Sequence, residues 1–261
     1  MNKYIDDEKE LKRYRKELIK KIVEESKPKR KKDKKDVYKL PMPSHDTVIS
    51  DKSINIKTYG AIMLNSNWGG KLYNSNDRYI YDSKINDEIE KISIDCNISK
   101  RTLKRHIAKL RKCDVNILEP ININGELAYK LNYACDEGMN FVTIDNIALR
   151  KLCNAYSEYA LRLYIIFNYM CVEVLRDMNS KEYYVNKIEK HITQEWLCKK
   201  IGIKYSHRIV VTDCVEALIN GGFINLRKEY KLNPTENENG ELVLHKVPYF
   251  YYSLSDDYLK I

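Results

Sequence analysis

Between Asn86 and Lys112 the apolar positions fall into two short helical stripes separated by two residues that break the period. Ile89, Ile92 and Ile94 give the first segment one apolar side, and Asn97 with Ile98 supplies the break. Ser99 then stands where an N-cap is needed, because its hydroxyl can accept from an orphan amide of the next turn. Leu103, Ile107 and Leu110 follow at i, i+4 and i+7, a buried stripe. The spacing predicts helix, tight turn, helix. Upstream, Ile56, Tyr59, Ile62 and Met63 predict a helix over Asn55–Asn67, capped by Asp51 or Ser53. A polar loop, Asn65–Asp77, leads to a short strand at Arg78–Tyr81. Downstream, Val115–Leu118 and Glu126–Tyr133 are β-rich and flank Asn124–Gly125, a dipeptide in which both residues tolerate positive φ and close a hairpin.

The pattern recurs. Asp36–Asp51 reads as an extended segment, Ala134–Asn140 as a boundary and Phe141–Ile144 as a strand. Asn146–Asn154 and Ser157–Asp177 read as helices. The second is apolar on most sides, as in a core or a subunit interface, but Arg162, Asn168, Glu173 and Arg176 exclude a membrane span. Thr193 caps Gln194–Lys200, with Trp196, Leu197 and Ile201 inward, and Gly202–Ile203 is a turn. Ser206 caps His207–Asn220, where Ile209, Val210, Val215, Leu218 and Ile219 have helical spacing, and Gly221–Gly222 ends it. Phe223–Leu232 and Leu242–Leu254 form a second hairpin around the polar loop Asn233–Gly240. The expected fold is α+β, mainly helical with small hairpins: two tandem winged helix-turn-helix domains, 37–135 and 136–261. A charged, partly helical or disordered segment, 1–36, precedes them.

Charge sharpens this picture. The chain carries +9 overall, spread as +6 over residues 1–36, +4 over 37–135 and −1 over 136–261. The anion-seeking part is therefore the N-terminal half. Seven Lys or Arg and no acid lie between Ser99 and Lys112, and Lys100, Arg101, Lys104, Arg105 and Lys109 share the face opposite the apolar stripe. A helix with an apolar back and a cationic front suits the DNA major groove. The run Lys27–Lys35 has seven cations against one acid, and Lys29, Arg30, Lys31 and Lys32 would contact phosphates without reading sequence. The second helix pair offers Lys204 and Arg208, diluted by Asp213 and Glu216, so the C-terminal copy is either a weak second DNA contact or a dimerisation module.

Catalytic chemistry finds little support. Phosphate-cradling loops and HExxH are absent. The five histidines lie apart, with no His-x-His beside a nucleophilic tyrosine; His106 and His207, in the two second helices, are expected to contact phosphate or pack. The seven cysteines lack CxxC or zinc-ligand spacing, which predicts no metal, no cofactor and reduced thiols in a bacterial cytoplasm. No signal peptide or membrane span is evident. Tyr249–Tyr252 could stack bases, but reads better as a strand packing at a sheet edge.

The motifs NIKTYGAIML (55–64), ISIDCNISKRTLKRHIAKL (92–110) and TQEWLCKKIGI with VVTDCVEALINGGFINL (193–226) resemble the tandem winged-helix replication proteins of plasmids and phages from low-G+C Gram-positive bacteria. The resemblance implies a non-enzymatic homodimer on repeated or palindromic double-stranded DNA sites, setting replication or plasmid copy number with host replication proteins as further partners. It places DNA reading at Ser99, Lys100, Arg101, Lys104 and Arg105. A transcriptional repressor at its own promoter and a protein-binding assembly module remain the alternatives.

Overall fold

The computed structural model describes residues 39–44, 46–68, 78–112, 117–132, 141–176, 183–236 and 241–255. The chain divides into Met1–Val37, which lies outside the described residues, and Tyr38–Ile261, a mixed α and β unit with small antiparallel sheets.

Strand β1 (Lys39–Pro43) leads through α1 (Asp46–Ser50) to α2 (Ile56–Asn65). The cap of α2 is Asn55 rather than Asp51 or Ser53: its Oδ1 accepts from the Thr58 N–H at 2.8 Å. Then follow β2 (Asn67–Trp68), β3 (Arg78–Tyr81), α3 (Asp82–Asp87), α4 (Ile89–Asp95), α5 (Lys100–Arg111), β4 (Leu118–Ile123) and β5 (Glu126–Leu131). These four strands form one sheet in the order β2-β3-β5-β4. Asn124 and Gly125 close the β4–β5 hairpin at φ +54° and +87°, as their sequence predicts.

The second half contains β6 (Phe141–Asp145), α6 (Asn146–Ala155), α7 (Glu158–Met170), β7 (Val172–Arg176), β8 (Tyr183–Lys187), β9 (Lys190–His191), α8 (Gln194–Lys200), α9 (Ile209–Asn220), β10 (Ile224–Glu236) and β11 (Leu242–Leu254). Its main sheet runs β10-β11-β9. In both halves, therefore, the strand before the helix pair bonds to the last strand of the hairpin. The two turns also match bond for bond. Cys96, Asn97 and Ile98 donate to Ile92, Ile94 and Ser93; Ile201, Gly202 and Ile203 donate to Leu197, Lys199 and Cys198. Asn97 (φ +50°) and Gly202 (φ +72°) fill the left-handed position in each.

Several elements depart from expectation. The first helix of the first pair breaks at Glu88; Ile92 is buried as expected, but Ile94 is 65% exposed, and Ile85, ahead of the break, is buried instead. Helix α7 stops at Met170, where the β-branched alternation at Val172 and Val174 enters β7, paired with β8, instead of running to Asp177. Ser206 does not cap the last helix. A 3-10 turn, Tyr205–His207, intervenes, and Ile209 at the helix start is 63% exposed, while Val211, Cys214, Val215 and Leu218 point inward.

The two halves share one core. Strand β1 pairs with β6 over five residues, α2 packs on α6 and α7, and the buried apolar side chains form a single cluster from Leu40 to Tyr252. Residues on either side of 135/136 thus belong to one packed unit. Ala160 to Phe167 of α7 are all buried within the chain, so that apolar helix serves the core and not a subunit interface. At its centre the Arg162 guanidinium donates to the carbonyls of Val48, Ile49, Asp51 and Ile54 and to Glu158. Glu158 in turn accepts from Asn55 Nδ2 at 2.6 Å and from the Ile56 N–H at 3.2 Å, an anion at the start of α2.

The turn before α9 is locked onto α1. A Cβ at Gly202 would be driven into the Ser50 carbonyl oxygen, on top of its left-handed φ; at Gly125 a Cβ would meet nothing. Gly202→Ala is expected to destabilise by about 2–4 kcal/mol, against about 1 kcal/mol for Gly125→Ala. Thermal melts of the two variants side by side check this, and equal melting shifts would refute the locked turn.

Candidate nucleic-acid interface

Helix α5 presents its cations outward because its other side is anchored at three levels. Leu103, Ile107 and Leu110 are each at most 3% exposed. At the start of α5, Ser99 Oγ accepts from the Thr102 N–H at 3.3 Å and donates to Thr102 Oγ1 at 3.0 Å. Its hydroxyl is engaged as the cap, which leaves it a positioning rather than a base-reading part. At the end, Arg111 pairs with Asp82 of α3 at 2.5 Å and lies 4.6 Å from the Tyr129 ring on β5, tying the helix to the hairpin.

Arg101, Lys104, Arg105 and Lys109 are exposed, and none has an acidic partner among the described residues. Lys100 is exposed too, but pairs with Glu90 of α4 at 2.9 Å, and the hydrogen bond and charge of that lysine hold the Glu90 carboxyl below its usual range. Four cations over three turns of one helix, without an acidic partner among the described residues, form a surface for an anion, with Lys100 exchangeable at its rim.

His106 faces the other way. Its Nδ1 lies 3.2 Å from Thr58 Oγ1 on α2, so it packs at the back of the cationic helix. Burial lowers its pKa first; Arg105 and Lys109 add to this, and Glu158 opposes them. Because the folded-state value lies below the ordinary value of about 6.5, the neutral ring favours folding. Stability is therefore complete above that value and lost as pH falls through the folded pKa. His106→Gln is expected to flatten the acid side of a stability–pH curve measured by urea unfolding. An unchanged curve would remove His106 from the α2–α5 contact.

The second helix pair is chemically different. Lys204 and Arg208 are exposed, Arg208 lying 5.1 Å from the Tyr205 ring, but the outward side of α9 continues with Ile209, Asp213 and Glu216. Its cations are balanced by its acids. Lys29, Arg30, Lys31 and Lys32 lie outside the described residues. The stretch Tyr249–Tyr252 is strand, with Tyr252 buried and stacked on Phe167 at 4.8 Å.

Comparisons with protein-family models, curated proteins and solved structures find no match to this chain.

Among the described residues, no group of three His, Cys, Asp or Glu is placed to hold a metal ion, and no helix is long and apolar enough to cross a membrane. The five described cysteines are free and buried; burial pushes the Cys96 thiol up to about 11 and Cys153 higher still, which leaves neither a reactive thiolate. Sequence reading missed the network beneath the helix pair. Asp95 of α4, buried, accepts from Asn65 Nδ2 at 3.0 Å and pairs with Arg150 of α6 at 2.5 Å. A lone aspartate in an apolar run is its only trace in the sequence.

Proposed function

We propose that the protein reads double-stranded DNA by sequence, as two fused winged helices of which the first carries recognition, and that it acts without catalysis in plasmid or phage replication or copy control. The observation that carries this reading is the outward row Arg101, Lys104, Arg105 and Lys109, free of acidic partners among the described residues, on the second helix of a helix–turn–helix followed by a hairpin. An α-helix fits the major groove, arginines pair bidentately with guanine, and lysines neutralise phosphates. The hairpin tip Asn122–Glu126 has no cation, so it adds little to binding. The assignment to replication rests on the resemblance of the helix-pair motifs, and a repressor would use the same groove chemistry.

Footprinting on the DNA flanking the gene separates the two. Iterated sites are expected for replication control, while a single palindrome at the promoter would move the reading to repression. The affinity should also fall with salt at a log–log slope of roughly −0.9 per phosphate contact. Absence of any salt-dependent duplex binding would overturn the nucleic-acid reading and leave a protein-assembly role.

A further inference from the structure

The β10–β11 ribbon pairs over thirteen positions, from Ile224 with Leu254 to Glu236 with Leu242, whereas its third strand, β9, reaches only Tyr251 and Tyr252. From Lys228 outward the ribbon is a two-stranded arm of roughly 25 Å. Such a ribbon is marginal in water unless a further layer covers it. The pairing register places Leu226, Lys228, Tyr230, Leu232, Pro234 and Glu236 on one face with Leu242, Leu244, Lys246 and Pro248. On it Leu226, Tyr230, Leu232, Leu242 and Leu244 are 37%, 51%, 62%, 77% and 61% exposed. No other described surface gathers as many exposed large apolar side chains into one register.

We infer that this face is the contact between two copies of the chain, stacked face to face and antiparallel about Leu232. Three observations select a second copy. The arm has no positive charge to draw a polyanion: Lys228, Lys231 and Lys246 stand against Glu229, Glu236 and Glu241, and Glu238 in the loop sequence makes the sum −1. This contrasts with α5. The face is also self-complementary. Lys228 and Glu236 lie four residues to either side of Leu232, so a two-fold axis there sets Glu236 of one copy beside the partner's Lys228, and the reverse. Lys246 is drawn over the Tyr230 ring at 4.6 Å, away from that axis. Finally, the area suffices. At about 170 Å² for a large apolar side chain, Tyr230, Leu232, Leu242 and Leu244 expose on the order of 430 Å² per copy, and with the exposed Pro234 and Pro248 beside them two copies bury about 1,000 Å², the threshold of a specific interface. Pro234 in the edge strand blunts the alternative of edge-to-edge pairing.

Sedimentation equilibrium of the full chain without nucleic acid tests this, and its outcome is separate from that of the DNA reading. Wild type is expected to be dimeric in the micromolar range. Leu232→Glu with Leu244→Glu should raise the dimer Kd at least about a hundredfold while the single chain stays folded by circular dichroism, since both side chains face solvent in it, and the melting temperature should fall only by what the lost association contributed. Lys228→Glu and Glu236→Lys should each weaken the dimer, and the two together should restore it. A monomeric wild type, a mass untouched by the leucine changes, or a charge swap that fails to restore association would overturn the proposal. So would loss of duplex affinity at unchanged mass, which would mark the arm as a nucleic-acid contact.

Discussion

Arg101→Ala combined with Arg105→Ala is expected to weaken binding to the preferred duplex by about a hundredfold or more, while affinity for unrelated DNA falls much less. The two guanidiniums lie one turn apart on the exposed side of α5 and have no acidic partner among the described residues. Each bidentate contact with guanine discriminates by about 1–3 kcal/mol, so losing two erodes most of a specificity of ordinary size. Lys104→Ala and Lys109→Ala should behave differently, lowering affinity for all sequences alike and making the salt slope shallower by about 0.9 each. Gel-shift titrations at two salt concentrations distinguish the pairs. Folding is not at stake, because the anchoring residues Leu103, Ile107, Leu110 and Arg111 are untouched. A double arginine variant with wild-type affinity and preference would dismiss α5 as the reader.

Arg162→Met should destabilise the fold more than either glycine substitution, by about 4 kcal/mol or more, seen as a melting temperature lower by roughly 10 °C. The side chain is 1% exposed and satisfies four carbonyls that end α1 and lead into α2, as well as Glu158. Methionine fills the space but strands those acceptors and leaves the Glu158 charge without its partner. Arg162→Lys should recover little, since one ammonium cannot span the fork of acceptors that a planar guanidinium reaches. The damage should extend to DNA binding, because Glu158 and Asn55 fix the start of α2, and α2 is the floor on which α5 rests through Thr58 and His106. A variant that melts within a few degrees of wild type would show that the carbonyls find other donors.

The helix pair around Asn97 is legible in the sequence because local chemistry and period agree there: a left-handed-tolerant asparagine, a serine cap and a strict i, i+4, i+7 stripe all specify one geometry. Its counterpart is legible only as far as Gly202. Beyond the turn, Ser206 has the residue type of a cap, yet three residues of 3-10 turn shift the buried positions, and packing of Val211, Cys214, Val215 and Leu218 overrides the local signal. The end of α7 escapes the sequence for a similar reason. A segment apolar on every side carries no period, so nothing in it marks where helix gives way to the β7 strand.

By itself the sequence determined the two turns, the Asn124–Gly125 hairpin, the cationic face of α5 and the uneven charge, since each depends on residues within a few positions of one another. Tertiary structure alone decided that the two halves share a core, that Arg162 and Glu158 join them, and that Lys100 is paired with an acid whereas Arg101, Lys104, Arg105 and Lys109 have none among the described residues. Those outcomes depend on which carbonyl, carboxylate or apolar face arrives from elsewhere in the chain, for Arg162 from about a hundred residues away. Side-chain periodicity records that a residue will be buried or exposed; it does not record what will be brought against it.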